Sequence, residues 1–247
     1  MEEVSIRFLE GETDTGTLRR LYDSVIAPSF LPAEREPLDK LTRVLAADQL
    51  RGAIAVTPDG EPVGALFLEW FADIRAALLC YFAIRPDLRG QGIGRQLVAV
   101  AAPRWRSDLK PHVVFAEAED PRAFDAGSAA DHATTDSGAG GGVVDYGDGD
   151  ARLRLYAGFG ARRLPIPYLM PELAPGAGRL PDLLLLVVEA DDIVSPSPDR
   201  IESTIVADFL LRYFERQEGD AARDDDGQLQ QLLAECRRTA SLELHGL

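Results

Sequence analysis

Arg89-Gly90-Gln91-Gly92-Ile93-Gly94 stands between an apolar run, Ala76–Ile84, and a segment with helical spacing, Ile93–Trp105. Glycines let the backbone turn tightly and approach a ligand closely, while a helix start presents unpaired amides at the positive end of its dipole. Phosphate oxygens suit such a corner. Two common phosphate-loop patterns do not fit. The third glycine of GxGxxG is replaced by Arg95 or Leu97, depending on where the count begins, and no Gly-Lys-Ser/Thr completes a Walker A loop. RxxGxG after an apolar strand does fit; a structural turn with no ligand is the other reading.

Carboxylates come next. Glu69 is embedded in Leu66-Phe67-Leu68-Glu69-Trp70-Phe71, and an ionisable group in an apolar strand is either paired or functional, unless the strand end is solvated. Glu117, Glu119 and Asp120 follow the strand Val113–Ala116. Glu117 and Glu119 share strand parity with Val113 and Phe115, so both can point the same way. Carboxylates there would bind a cationic substrate or relay its proton, with Arg122 as a partner for one of them; an ordinary charged strand exit is the alternative. Cys80 as a nucleophile would need a nearby base and a lowered pKa, and neither is evident. His112, His132 and His245 show no ligand spacing, and Asp145 to Asp150 lack the calcium-loop pattern, so no metal site is expected.

These groups must be positioned by an α/β arrangement. A strand at Val4–Phe8 leads to a helix carrying Leu18, Leu21, Tyr22 and Val25, then to a second helix around Leu38, Leu41, Val44 and Leu45. Strands Gly52–Thr57 and Val63–Phe71 flank Pro58-Asp59-Gly60-Glu61, which marks a hairpin and an antiparallel start. Ala76–Ile84, the glycine turn, Ile93–Trp105 and Val113–Ala116 form strand, turn, helix and strand, a unit whose strands are usually parallel. Asp120–Asp150, dense in Gly, Ala, Asp and Ser, is expected to be a flexible surface loop. A short helix at Ala151–Gly158 and strands at Arg162–Tyr168 and Leu183–Val188 follow. Beyond residue 195 the pattern turns helical: Ser197 would cap a helix with Pro198 at its first position. Ile201, Ile205, Phe209 and Tyr213 make an apolar stripe, and a second helix follows Asp224-Asp225-Asp226 with Leu229, Leu232, Leu233 and Cys236 on one face. The stripes bury either against the protein's own surface or against a second copy in a homodimer. The division expected is a domain over 1–194 and a C-terminal helical extension over 195–247.

Bulk composition narrows the function classes. With 247 residues the chain can close a core without disulfides or a structural metal. Its formal net charge of −15 repels phosphate backbones, which argues against nucleic acid, and favours the approach of a cation such as an amine. Two isolated cysteines, Cys80 and Cys236, point to a reducing compartment. No apolar stretch reads as a leader or a membrane span, so a cytoplasmic location is expected.

The run Tyr81-Phe82-Ala83-Ile84-Arg85-Pro86-Asp87-Leu88-Arg89-Gly90-Gln91-Gly92-Ile93-Gly94 resembles the acyl-CoA-binding signature of the GNAT N-acyltransferase superfamily. Arg154-Leu155-Tyr156-Ala157-Gly158-Phe159-Gly160-Ala161 is similar to that family's second signature. The likeness extends over about residues 4–190. It implies a mixed, largely antiparallel sheet with a splayed parallel strand pair, flanked by helices. It also implies acyl-CoA, with acetyl-CoA the usual case, as cosubstrate. Its diphosphate would sit on the amides of Gln91, Gly92, Ile93 and Gly94 next to Gly90, with Arg89 and Arg95 adding charge, and its pantetheine arm on the backbone of Phe82, Ala83 and Ile84. Tyr156 matches the general acid for the departing thiolate. Members often carry a glutamate where this chain has Cys80, and Glu69 is the nearest replacement, with Glu117 as a relay and Glu119 as a substrate contact. The implied activity is transfer of an acyl group to a small-molecule or peptide amine by direct attack. A noncatalytic acyl-CoA-binding sensor is the alternative.

Overall fold

A computed structural model describes residues 3–9, 15–120, 122, 149–219 and 226–247. Alternating apolar runs pair into one sheet. Strand β1 is Ser5–Leu9, followed by helix α1 (Thr15–Leu21), which runs on into one wider helical turn at Tyr22–Ile26, and by α2 (Leu38–Ala46). Strands β2 (Leu50–Val56), β3 (Pro62–Phe71) and β4 (Ala76–Ile84) form an antiparallel meander with β1. Gly60, at φ +88°, makes the β2–β3 turn. Helix α3 (Ile93–Leu109) then crosses over to β5 (Val113–Glu119), which pairs with β4 in parallel.

After α4 (Gly149–Gly158) come β6 (Arg162–Arg163) and β7 (Leu183–Ala190), and the sheet order is β1-β2-β3-β4-β5-β7-β6. The strand expected over Arg162–Tyr168 shortens to two residues. Pro165 and Pro167 lack the N–H that a ladder needs. The expected loop at Asp120–Asp150 lies mostly outside the described residues.

The C-terminal segment departs from the helical expectation at its start. Arg200–Glu202 forms β8 and pairs antiparallel with β9 (Ser241–Glu243), while helix α5 begins only at Ser203 and runs to Glu218. Ser197 donates its hydroxyl to Asp199 Oδ1 at 2.6 Å instead of capping a helix. Helix α6 (Gly227–Cys236) is capped by Asp226, whose carboxylate accepts from the N–H groups of Gln228 and Leu229; Asp224 and Asp225 lie outside the described residues. The apolar stripe of α5 is buried in this chain. Ile205, Phe209 and Tyr213 share a core with Phe71, Leu78, Phe115 and Leu185 of the sheet. The Phe209 ring stacks on Phe115 at 4.3 Å between centroids.

The two sheet faces are therefore covered differently. Helix α3 packs on one face through Leu97, Ala101 and Trp105 against Leu66, Leu68 and Ala77, and Tyr156 of α4 packs on the same side against Ala116 and Ala118. On the other face, Phe67, Tyr81 and Ala83 pack under α1 and α2, whereas Phe71, Leu78 and Phe115 pack under α5. Glu69 falls between Phe67 and Phe71 in the alternation of β3, at the seam between these two packed regions.

Candidate active site

The glycine turn has the backbone that its sequence requires. Gly90 and Gly92 have φ of +77° and +84°, in the left-handed region that side chains disfavour. Gly92 is the residue from which α3 starts, so the first amides of that helix face outward with no intrahelical acceptor. A Cβ placed on either glycine would meet no atom within 4 Å, which leaves the space over the turn open. Gly94 is close to Phe82, whose ring lies 3.1 Å from where a Cβ would stand. Arg89 braces the turn from behind: its Nε donates to Ile84 O and its Nη2 to Ser29 Oγ, each at 3.2 Å. An open, amide-lined corner at a helix start fits a diphosphate. When bound, acyl-CoA would supply an activated thioester.

Next to this corner the parallel pair comes apart. Ladder pairing of β4 with β5 runs from Ala76–Val113 to Leu79–Ala116 and goes no further. From Cys80 to Ile84, β4 thus presents an edge with no strand partner among the described residues on the β5 side. On its other side Phe67 pairs with Tyr81 and Leu68 with Leu79, which leaves Cys80 as the extra residue of a β-bulge. The bulge turns Cys80 and Tyr81 toward the gap, and the freed edge of Phe82, Ala83 and Ile84 leads from it to the glycine turn.

The gap opens into a recess lined by Glu34, Glu36, Glu69, Glu117 and Glu119, with Cys80 and Tyr81 on its sheet side. Glu69 is 2% exposed. Its pKa is pushed up to about 8, first by burial and then by the charge of Glu36, against the opposing pull of Arg216 and Lys40. Arg216 Nη1 stands 3.5 Å from Glu69 Oε2, and Gln217 Nε2 donates to Oε1 at 3.4 Å. Burial raises Glu117 to about 7, although it accepts hydrogen bonds from the phenols of Tyr168 and Tyr213, which favour the charged form. Glu119 lies 4.0 Å from Arg152 of α4. Glu36 is held by its backbone N–H, which donates to Tyr81 Oη at 2.8 Å, while Lys40 Nζ stands 3.2 Å from its Oε1 without hydrogen-bond geometry. Two carboxyl groups with pKa values near neutrality can exchange protons at working pH.

Residues 47–124 match the family model of the acetyltransferase (GNAT) domain. That stretch, 78 of the 247 residues, is similar to a GNAT domain. Among solved structures, a GNAT-family protein from Bacteroides thetaiotaomicron is 20% identical, covers 76% of this chain and 89% of its own, and has a TM-score of 0.50. A spermidine N-acetyltransferase from Vibrio cholerae is 15% identical, covers 78% of this chain and 98% of its own, with a TM-score of 0.48. The first likeness supports the shared fold. No curated protein matches the sequence.

The GNAT segment contains the glycine turn, the bulge, Glu69, Glu117 and Glu119, whereas Tyr156 lies beyond it. Tyr156 is the one buried residue of α4, at 3% exposure. It does not line the carboxylate recess; it packs from the α3 side of the sheet, and burial raises its phenol well above the usual range, with Glu117 and Cys80 adding to the rise and Arg152 opposing it. Glu69 is not the solvated strand end that its sequence also allowed. Arg122 donates its backbone N–H to Asp120 Oδ1, and the cation beside Glu119 is Arg152. The Cys80 thiol is pushed up by burial, then by Glu69, which makes it a poor nucleophile. Sequence reasoning missed Glu36, Lys40, Tyr168, Tyr213, Arg216 and Gln217. The last three follow the helical stripe of α5, and that stripe was the one signal available for them. Among the described residues no cluster of His, Cys, Asp or Glu could hold a metal ion, and no helix is long and apolar enough to cross a membrane.

Proposed function

We propose that this protein is an acyl-CoA-dependent N-acyltransferase, most simply an N-acetyltransferase, acting on a primary amine. The observation that carries this reading is the junction at Cys80. There a strand edge with no partner among the described residues on the β5 side, continuous with an open, amide-lined turn, meets a recess rich in carboxylates.

In this reading the turn from Gly90 to Arg95 holds the diphosphate and the edge of Phe82, Ala83 and Ile84 holds the pantetheine amides. The carboxylate recess receives the acceptor as an ammonium. An alkyl ammonium has a pKa near 10.4, and each unit between it and the base costs about 1.4 kcal/mol. In their charged forms Glu69 and Glu117, raised to about 8 and 7, accept that proton at less cost than an ordinary carboxylate would, Glu69 chiefly from about pH 8 upward. The freed nitrogen then attacks the thioester carbonyl, forming N–C as C–S breaks; Tyr156 gives its proton to the departing sulfur, and the second proton that nitrogen sheds as the amide forms passes through solvent to restore the phenol. A phenol raised by burial is fully protonated at neutral pH, as an acid must be. The two free thiols, Cys80 and Cys236, fit a reducing cytoplasmic setting.

The test is calorimetric titration with acetyl-CoA, followed by thiol release assayed with small amines and with peptide amines. Saturable binding and amine-dependent release support the reading. Binding with no release from any amine would make the protein a sensor, and absence of binding would remove the acyl-CoA assignment altogether.

A further inference from the structure

Helix α5 lies outside the segment matched by the GNAT model, yet it forms one wall of the recess through Tyr213 and Gln217. Arg216, on the same helix, grips three consecutive residues of β3. Its Nη1 stands 3.5 Å from Glu69 Oε2, its Nη2 donates to Trp70 O at 3.0 Å, and its guanidinium lies 3.8 Å from the centroid of the Phe71 ring. The last two contacts fix the guanidinium and leave its first nitrogen directed at the carboxylate.

Building on the N-acyltransferase reading, we propose that Arg216 is a positioning residue for the transfer. With Gln217 beside it, it holds Glu69 in ionisable form, so that Glu69 takes the proton from the acceptor ammonium. In that step an N–H bond of the ammonium breaks, the proton moves to a Glu69 oxygen, and the lone pair left on nitrogen attacks the thioester carbonyl, forming N–C as C–S breaks and the thiolate leaves with a proton from Tyr156; Glu69 returns its proton to solvent after turnover. Both contacts to Glu69 are long, at 3.5 and 3.4 Å, so its oxygens keep acceptor capacity for a ligand N–H.

The surroundings give Arg216 its weight. Glu36 from the loop before α2 and Glu117 from β5 face Glu69 with like charge, and the Cys80 thiol and the Tyr213 phenol are neutral neighbours. Lys40 from α2 also favours the charged form, but its ammonium is shared with Glu36 and with Gln217 Oε1. Arg216 is thus the cation committed to Glu69. Without it, burial and two neighbouring carboxylates would push Glu69 above the value of about 8 that it has beside Arg216, and its charged form would be confined to more alkaline pH.

A purely structural tie between α5 and the sheet predicts something different. The experiment compares wild type, Arg216→Gln and Arg216→Lys in three measurements: the pH dependence of kcat/KM for an amine that turns over, the KM for acetyl-CoA, and a carboxyl NMR titration of protein labelled at the glutamate carboxyl carbons. Glu69→Gln assigns the resonance. In Arg216→Gln the acidic limb of the rate profile and the Glu69 titration should both move up by about 1–3 units. The KM for acetyl-CoA should stay put, and Arg216→Lys should restore most of the shift. A limb that stays in place, or a pH-independent loss that lysine does not rescue, overturns the proposal. If Arg216→Gln does not fold, Gln217→Ala removes the neighbouring donor and should give a smaller shift in the same direction; no shift there counts against it. If no amine turns over, the N-acyltransferase reading fails by itself, and the NMR titration still decides whether Arg216 controls Glu69.

Discussion

The Tyr213 hydroxyl donates to Glu117 Oε2 at 3.3 Å, joining residues 96 positions apart in the chain. One belongs to β5, inside the GNAT segment, and the other to α5, outside it. Burial alone would raise Glu117 further. The phenols of Tyr213 and Tyr168 offset part of that rise and bring the carboxyl group to about 7, where it can gain or lose a proton under ordinary conditions. The hydrogen-bonded groups around Glu117 are therefore shared between the segment matched by the GNAT model and the segment that follows it.

Tyr156→Phe separates chemistry from binding. The substitution removes one hydroxyl from a ring packed among Ala116, Ala118 and Leu186 and leaves that packing in place. Loss of a positioned acid costs about 10²–10⁴-fold in rate. Turnover of acetyl-CoA should fall by that order while the calorimetric Kd for acetyl-CoA stays unchanged. An undiminished kcat would remove Tyr156 from the reaction.

Gly92→Ala probes the turn. There is room for a methyl group, so the penalty is conformational: an L-residue held at φ +84° loses about 1–2 kcal/mol. A modest drop in melting temperature is expected together with a raised KM for acetyl-CoA, because relaxation of the turn redirects the amides that would hold the diphosphate. The KM for the amine should not follow.

Legibility of the sequence differed sharply between regions. Ala76–Ile84 forms a strand with the bounds that its sequence predicts, because an unbroken apolar run ending at Arg85-Pro86 marks both of its ends. The glycine turn was equally visible, since few residue types tolerate its backbone. Hidden were the features that depend on distant pairing. The bulge at Cys80 exists only relative to Phe67 and Leu68 on β3, and the β8–β9 pair joins Arg200–Glu202 to a strand about 40 residues later. No local period announces either. Glu36, in a proline-rich connection, carried no signal at all: it reaches the recess because Tyr81 receives its N–H.

Glu69→Gln should make the protein more stable at alkaline pH. The folded state raises the Glu69 pKa from 4.5 to about 8, so between those values the native protein holds a proton that the unfolded chain has released. Stability then falls as pH rises through that window and the loss is complete above it. Glutamine removes this dependence. The difference in melting temperature, variant minus wild type, should grow from about pH 5 to about pH 9. A constant difference would mean that Glu69 titrates normally in the folded protein.

Arg179→Ala should loosen the C-terminal helices. Arg179 lies on the loop before β7 and forks to Glu218 at the end of α5, 2.5 Å away, and to Asp226, the cap of α6. All three side chains are less than a fifth exposed, at 17%, 13% and 12%. Removing the guanidinium strands two carboxylates in a poorly solvated place, and a loss of about 1–3 kcal/mol is expected in urea denaturation at neutral pH. The sign with pH runs opposite to that for Glu69. Hydrogen bonding to Arg179 lowers the Asp226 pKa below 3.8, so this stabilisation is present at neutral pH and disappears as acid protonates the carboxylate. Wild type and variant should therefore converge in stability on acidification below about pH 4. A gap that persists in acid would assign the effect to lost packing of Arg179 over the Phe214 ring, which lies 4.9 Å from its guanidinium carbon.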